Sequence, residues 1–300
     1  MGGHTLYRKD YLPYLTHFPR IPAPYCYRCP LGKVYPTCGI ACAWYLERTI
    51  KEEGKETIAG FISEPVTGSS LGALAPPPEY FPIIRDICDR YGILFIVDEV
   101  ITGFGRTGKN FGIDNWGVVP DMITTGKGIS SGYAPLGAII IHEKVFDVFE
   151  SSKRTSFFTG YTYSGHPISC AAGLAVLRHI KKHGLVECSA KMGHYLFRKF
   201  EELKELPIVG DIRGKGLLLG IELVQDKEKK TIFDRSRRVA EAIVRKAFER
   251  GMILLPGHGL EDGVVGDLLM IAPPFIVNES EIDTIFGLLR ETILEVQGCL

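Results

Sequence analysis

Two settings in this chain could do chemistry. Lys127 stands between glycines in Thr124-Thr125-Gly126-Lys127-Gly128-Ile129, and Asp98 closes the apolar run Leu94-Phe95-Ile96-Val97. A lysine amine can attack a carbonyl carbon or carry a proton, and flanking glycines let backbone approach a ligand closely. A carboxylate leaving a buried strand is costly unless it is paired. In open α/β sheets, ligands bind beyond the carboxyl ends of the strands, which is where both residues are expected. Neither decides anything alone. Most lysines are solvated surface groups, and an aspartate after a strand often only caps a turn.

Two phosphate-loop patterns overlap the same region. Gly103-Phe104-Gly105-Arg106-Thr107-Gly108 fits G-x-G-x-x-G and follows a strand. A dinucleotide site needs a helix to start there and point its N-terminus at the pyrophosphate. The residues that follow, Lys109 to Gly117, make a poor helix. Gly103 to Lys109 also nearly spells a Walker A loop, but Asn110 stands where Ser or Thr must hold magnesium. The acidic strand end Asp98-Glu99 comes before that loop, in the wrong order for a Walker B. A glycine-rich connection without chemical importance is the plainer reading.

The elements that must position Lys127 and Asp98 follow from hydrophobic pattern. Residues 1–45 are rich in Tyr, Pro and Cys and predict extended chain wrapped on a surface. A helix is expected over Trp44–Glu53, a strand near Ile58–Ser63, a helix near Tyr80–Tyr91 and a strand over Ile93–Val97. Strands near Met122–Thr125 and Gly137–Ile141 come next. Strands alternating with helices predict an α/β fold with a mainly parallel sheet, and their near-continuous apolar character predicts burial on both faces. Helices are expected over His166–His183 and Leu185–Leu203. After Pro207 the pattern runs strand (Leu217–Leu223), helix (Arg235–Arg250), strands (Met252–Leu255 and Leu268–Ile271) and helix (Glu279–Val296). This reads as a separate α/β unit, with residues 1–205 as a large domain and 206–300 as a small one.

Composition excludes several classes. The 300 residues carry 35 basic and 35 acidic side chains, so nothing favours nucleic acid or an anionic membrane surface. No apolar run is long enough to span a bilayer, and the first residues lack the pattern of a signal peptide. The expectation is a cytoplasmic protein with no nucleic-acid or membrane partner. Of the eight cysteines, Cys26, Cys29, Cys38 and Cys42 are clustered as C-x2-C and C-x3-C. Two such pairs can hold zinc, but Pro30 and Pro36 stiffen the segment and the gap between pairs is short. Free thiols are expected, and no metal site is assigned.

Three longer stretches, in this order, are LFIVDEVITGFGRTG, PDMITTGKGISSGYAPLGAII and TYSGHPISCAAGLAVL. Together they resemble the class-III aminotransferases, pyridoxal-phosphate (PLP) enzymes of fold type I also called omega-aminotransferases. The resemblance runs over nearly the whole chain. It implies a large domain with a seven-stranded mixed, mainly parallel sheet and a smaller C-terminal α/β domain. It implies that Lys127 forms a Schiff base with the cofactor aldehyde and then moves the proton. Asp98 would pair with the pyridine nitrogen and keep it protonated, so that the ring is an electron sink. Val100 resembles the residue packed on one ring face, and Thr162 the hydroxyl that reaches the phosphate of the neighbouring subunit's cofactor. Glu64, in Ser63-Glu64-Pro65, resembles an acid near the cofactor.

The function implied is transamination from a primary amine or omega-amino acid to a 2-oxo acid such as pyruvate, in a homodimer or homotetramer with sites at the subunit interface. A PLP-dependent aminomutase or racemase on the same scaffold, or an inactive truncated homologue, are the alternatives. Two departures stand out. A phosphate-binding turn and a stacking aromatic residue of the family lie upstream of Met1, so the large domain is expected to be N-terminally incomplete and to hold PLP weakly. Met270 stands where ornithine-type relatives place a carboxylate-gripping arginine, and Ser69 where they place the acid that gates it. An uncharged pocket at these places suits an amine or omega-amino acid donor.

Overall fold

The computed structural model describes residues 5–151, 157, 159–260 and 263–300. The chain opens with α1 (Thr5–Tyr11), where composition had predicted extended chain. Seven residues are too few for a helical period to show in the sequence.

α2 (Ala41–Glu53) buries Ala43, Leu46 and Ile50, one stripe at helical spacing. β1 (Gly60–Ser63) is followed by α3 (Tyr80–Tyr91), which buries Tyr80, Phe81, Ile84, Ile87 and Cys88. α3 stops at Gly92, whose φ of 65° is the left-handed cap that only glycine adopts freely. The chain then enters β2 (Leu94–Asp98), β3 (Met122–Thr125) and β4 (Ala138–Ile141).

The strand order is β1-β2-β3-β4. β1 pairs with β2, and β2 with β3, in parallel; β4 runs antiparallel to β3. The sheet is mixed and mainly parallel, with four strands among the described residues rather than the seven the resemblance implied. Burial on both faces also fails at its edge: in β4, Ile139 is 64% exposed and Ile140 45%. Among the described residues β4 pairs with β3 alone and forms the edge of the sheet.

α4 (Glu143–Ser151), α5 (Pro167–Lys182) and α6 (Leu185–Phe200) lead to a second sheet. Its strands are β5 (Val209–Lys215), β6 (Leu218–Leu223), β7 (Leu255–Gly257) and β8 (Asp267–Ile271). The order is β5-β6-β8-β7 and every pairing is antiparallel. α7 (Val239–Glu249) and α8 (Glu279–Gln297) complete the unit.

The second sheet has two buried faces, and the period of two along a strand divides its residues between them. Leu219, Ile221 and Leu223 of β6, with Leu269 and Ile271 of β8, join a core with α6, α7 and α8. Met192, Leu196 and Phe200 of α6 belong to this core, although they precede Leu206. The intervening residues face the N-terminal unit: Leu218 and Met270 join its core beside Phe81 and Phe95, and Leu268 packs with Tyr25 and Leu74. At Gly220 the approach is closest, since an added Cβ would lie 2.2 Å from the carbonyl oxygen of Gly72. Only glycine lets the two backbones meet there.

A charge lies inside this joint. Glu222 of β6 is 0% exposed. It accepts hydrogen bonds from the Tyr25 hydroxyl, from Arg28 Nε at 2.5 Å and from Arg213 Nη1 at 2.8 Å. Arg213 also donates to the carbonyls of Leu71 and Gly72, at 2.8 and 3.0 Å. The network ties three distant stretches, 25–28, 71–72 and the β5–β6 hairpin. Removing one partner of a buried ion pair leaves the others desolvated and uncompensated. Glu222→Ala is therefore expected to lose about 3–5 kcal/mol of stability. Urea unfolding of the ligand-free protein checks this; a loss under about 1 kcal/mol is what a peripheral ion pair would show.

Candidate active site

Three candidate residues follow the carboxyl ends of three adjacent strands. Glu64 comes directly after β1, Asp98 ends β2, and Lys127 comes two residues after β3. Ser63 stands beside Val97 and Asp98 beside Thr124 in the strand register. Parallel pairing thus delivers all three to the same edge of the sheet, outside the strand ends where α/β sheets bind ligands.

Asp98 is half-buried. Its Oδ1 accepts the amide N–H of Val100 at 3.0 Å, and Oδ2 has no partner among the described residues. Lys127 is exposed and starts a tight turn, Lys127–Ile129. Its φ is +41°, the left-handed region that non-glycine residues avoid. Such strain persists only where the surroundings enforce it, and it clusters at functional sites. Val100 packs beside the turn: a Cβ at Gly126 would lie 3.5 Å from Val100 Cγ1.

Glu64 is strongly perturbed by its surroundings. Burial pushes its carboxyl from the ordinary 4.5 up to about 7, and the nearby charge of Asp98 adds to this. The Gly68 amide, 3.1 Å from Oε1, and the charge of Lys127 pull the other way. Near neutrality Glu64 is therefore poised between acid and base, between a carboxylate and an amine.

Thr162 stands apart from these groups in the chain. It lies in an exposed turn, residues 162–165, that leads into α5. Tyr161 and Tyr163 on either side are exposed as well. No contact in this chain joins Thr162 to Asp98 or Lys127 among the described residues.

The sequence pattern of the class-III aminotransferases matches residues 2–293. This chain belongs to that family. The uncharacterized aminotransferase YodT of Bacillus subtilis is 37% identical over 99% of this chain and 67% of its own length. The putrescine–pyruvate aminotransferase of Pseudomonas aeruginosa is 36% identical over 85% of this chain and 54% of itself. An amine transaminase from an uncultivated Pseudomonas species, solved in its PLP-bound form, superposes with a TM-score of 0.82 at 36% identity, covering 92% of this chain and 60% of that one. The chain thus spans 53% to 67% of the length of curated relatives it matches. PLP is the cofactor of the class-III family, and the donor set at this sheet edge fits it: a free carboxylate oxygen, an exposed amine and an apolar side chain beside them.

The phosphate-loop patterns have another explanation in this class-III chain. After Gly108 no α-helix begins; the chain makes a short 3-10 turn, Gly112–Trp116. Gly108 has φ +79°, and a Cβ there would stand 2.8 Å from the Cα of Ala190 on α6. Gly216, between β5 and β6, presses on Thr107 in the same way. Arg106 donates to the carbonyls of Leu217 and Pro273, at 3.0 and 2.6 Å, and lies 4.6 Å over the Phe275 ring. Burial lowers its pKa to about 10, so it stays a cation. The glycines serve close approach between the two units, and Arg106 fastens them.

Glu99, next to Asp98, holds the adjoining loop in place. It is fully buried and accepts from the Thr102 hydroxyl and from the amides of Gly112 and Ile113, at 2.8 and 2.9 Å. It therefore shapes the loop that follows Asp98. Its signal was present in the Asp98-Glu99 pair, where two adjacent acids point to opposite sides of the strand end.

All eight cysteines are free thiols. Cys26, Cys29, Cys38 and Cys42 line one small cavity as free thiols. No three of them lie within metal-ligand range of one another. Burial raises the Cys42 thiol to about 11, which keeps it protonated at neutral pH.

Glu64 yields a pH test with a definite sign. Its folded pKa is above the unfolded value, so its contribution is fully present below pH 4.5 and is lost as pH rises through about 7. Above pH 7 the ionised, buried carboxylate opposes folding by up to roughly 3 kcal/mol, at about 1.4 kcal/mol per pKa unit. Glu64→Gln keeps the acceptor for Gly68 and cannot ionise. Urea unfolding of the ligand-free variant at pH 4 and pH 8 should show it gaining on wild type across that interval; parallel curves would show that Glu64 is not desolvated.

Proposed function

We propose that this chain takes part in PLP-dependent transamination, moving an amino group from a primary amine or omega-amino acid to a 2-oxo acid such as pyruvate. The observation that carries the reading is the convergence of Glu64, Asp98 and Lys127 at the ends of three paired strands. When bound, PLP supplies an electrophilic aldehyde and a ring that draws electron density from the substrate carbon. Asp98 would face the ring nitrogen, where its negative charge raises the pKa of that nitrogen. Lys127 would hold the aldehyde carbon and, once displaced by the substrate amine, carry the proton at its Nζ. Val100 would press on one ring face, and Glu64 would sit between the other two charges as a proton reservoir.

Further support concerns assembly and substrate. The exposed turn at Thr162 continues into α5, whose Ile168, Leu174 and Leu177 are exposed as well. This apolar stretch fits burial in a homodimer or homotetramer, from which Thr162 would reach the phosphate of a neighbouring subunit's cofactor. Met270 is buried in the core between the two units, and Ser69 carries no charge; both favour a donor without an alpha-carboxylate. The division into a large cofactor domain and a small C-terminal domain belongs to the same reading, with α6 packed against the second. Among the described residues no helix is long and apolar enough to cross a membrane.

Lys127→Ala should abolish fixation of PLP to the protein by borohydride, measured by mass spectrometry of the reduced protein. A reducible adduct at another lysine, with normal turnover, would overturn the assignment. Asp98→Asn keeps shape and removes charge. It should lose at least about 100-fold in the rate of amine-to-pyruvate transfer, since about 1.4 kcal/mol of transition-state stabilisation is tenfold. Cofactor affinity, from absorbance titration, should change less than turnover; near-normal turnover would remove Asp98 from this role.

A further inference from the structure

We propose that Glu241, His258 and Asp267 form a site for a divalent transition cation of the zinc class, fastening the end of β7 and the start of β8 to the start of α7. One carboxylate oxygen of each acid and one ring nitrogen of the histidine lie within 4.8 Å of one another. Glu241 is in the first turn of α7, His258 follows β7, and Asp267 opens β8.

Each group presents an unused electron pair. Asp267 is 1% exposed; its Oδ1 accepts the Ala240 amide at 2.7 Å, and its Oδ2 is buried without a partner. Glu241 Oε1 accepts from Arg235, and its Oε2 is buried without a partner. His258 Nδ1 lies 3.2 Å from the carbonyl oxygen of Gly266, which can only accept. In the neutral imidazole that contact puts the ring hydrogen on Nδ1 and leaves the lone pair on Nε2, 3.5 Å from Glu241 Oε1. Orientation of a histidine by a carbonyl behind it is the usual support of a metal-ligating ring. Burying bare carboxylate oxygens is costly unless a cation, a proton or a water compensates them. One imidazole and two carboxylates suit zinc, cobalt(II) or manganese(II) more than magnesium, which takes oxygen ligands.

Arg235 is the competitor. Its Nη2 lies 3.4 Å from His258 Nε2, and its Nη1 is buried without a partner. A bound cation would take Glu241 Oε2 and push the guanidinium outward. The segment around His258 is not remote: Gly257 lies against the carbonyl of Ser69, and Leu260 packs with Tyr25 and Leu74.

Cobalt(II) is the probe, because the thiols elsewhere in the chain would announce themselves by a sulfur charge-transfer band and this site would not. The expected result is one equivalent of cobalt with only weak visible bands, displaced by zinc and retained when Cys26, Cys29, Cys38 and Cys42 are changed to Ser. His258→Ala and Asp267→Asn should each weaken binding at least about tenfold. Arg235→Met, which deletes no ligand, should tighten it. Zinc at 100 times its dissociation constant should suppress unfolding about 100-fold in the wild type. Binding that persists in His258→Ala, binding that vanishes with the cysteines, or unchanged affinity in Arg235→Met would each overturn the site and leave a buried water or shared proton as the occupant.

Discussion

The parallel pairing of β1, β2 and β3 is the constraint on which the candidate site depends. Parallel strands place their carboxyl ends on one edge of the sheet, so Glu64, Asp98 and Lys127 are neighbours although 63 residues of chain separate the first from the last. A slip of one residue between β2 and β3 would turn the Asp98 side chain to the other face. What prevents the slip is burial: Phe95 and Val97 point into the core with Phe81, and their neighbours cannot take that place. The apolar packing of α2 and α3 is thus the source of the geometry at the sheet edge.

Charge then shapes the edge that packing has created. Two carboxylates and one amine close together cannot all hold their ordinary protonation states when burial raises the cost of charge. Glu64 is the enclosed one, and burial with the neighbouring Asp98 charge raises its pKa to about 7. The left-handed backbone at Lys127 belongs to the same economy. It lets the chain turn sharply after β3 and leaves the amine exposed rather than folded back on the sheet.

The sequence disclosed these residues because each breaks a local pattern. An aspartate after four apolar residues and a lysine between glycines are visible without a structure, and the helices over Tyr80–Tyr91 and Leu185–Phe200 announce themselves by period. β5 does not. Val209–Lys215 holds two glycines and three charged residues, and it is a strand because it pairs with β6 and because Arg213 reaches the carbonyls of Leu71 and Gly72, far away in the chain. Glu99 was hidden for a related reason: its partners, Gly112 and Ile113, offer backbone amides, which leave no mark in a sequence. The G-x-G-x-x-G pattern misled in the opposite direction. It is a pattern of close backbone approach, and here the approaching backbone belongs to α6 and to the turn between β5 and β6 rather than to a phosphate.

Arg106, half-buried, and Arg213, buried, carry charge into the joint between the two sheets. Arg106 gives its Nη1 to two backbone carbonyls and its face to Phe275. Arg213 is divided among Asp211, Glu222, Leu71 and Gly72. Both are spent on holding the N-terminal unit against the second sheet. Releasing either to grip a ligand would open the joint and strand carbonyls or a carboxylate in the core. With Met270 packed as a core residue between the same units, the side chains at this joint, these two arginines included, serve the fold.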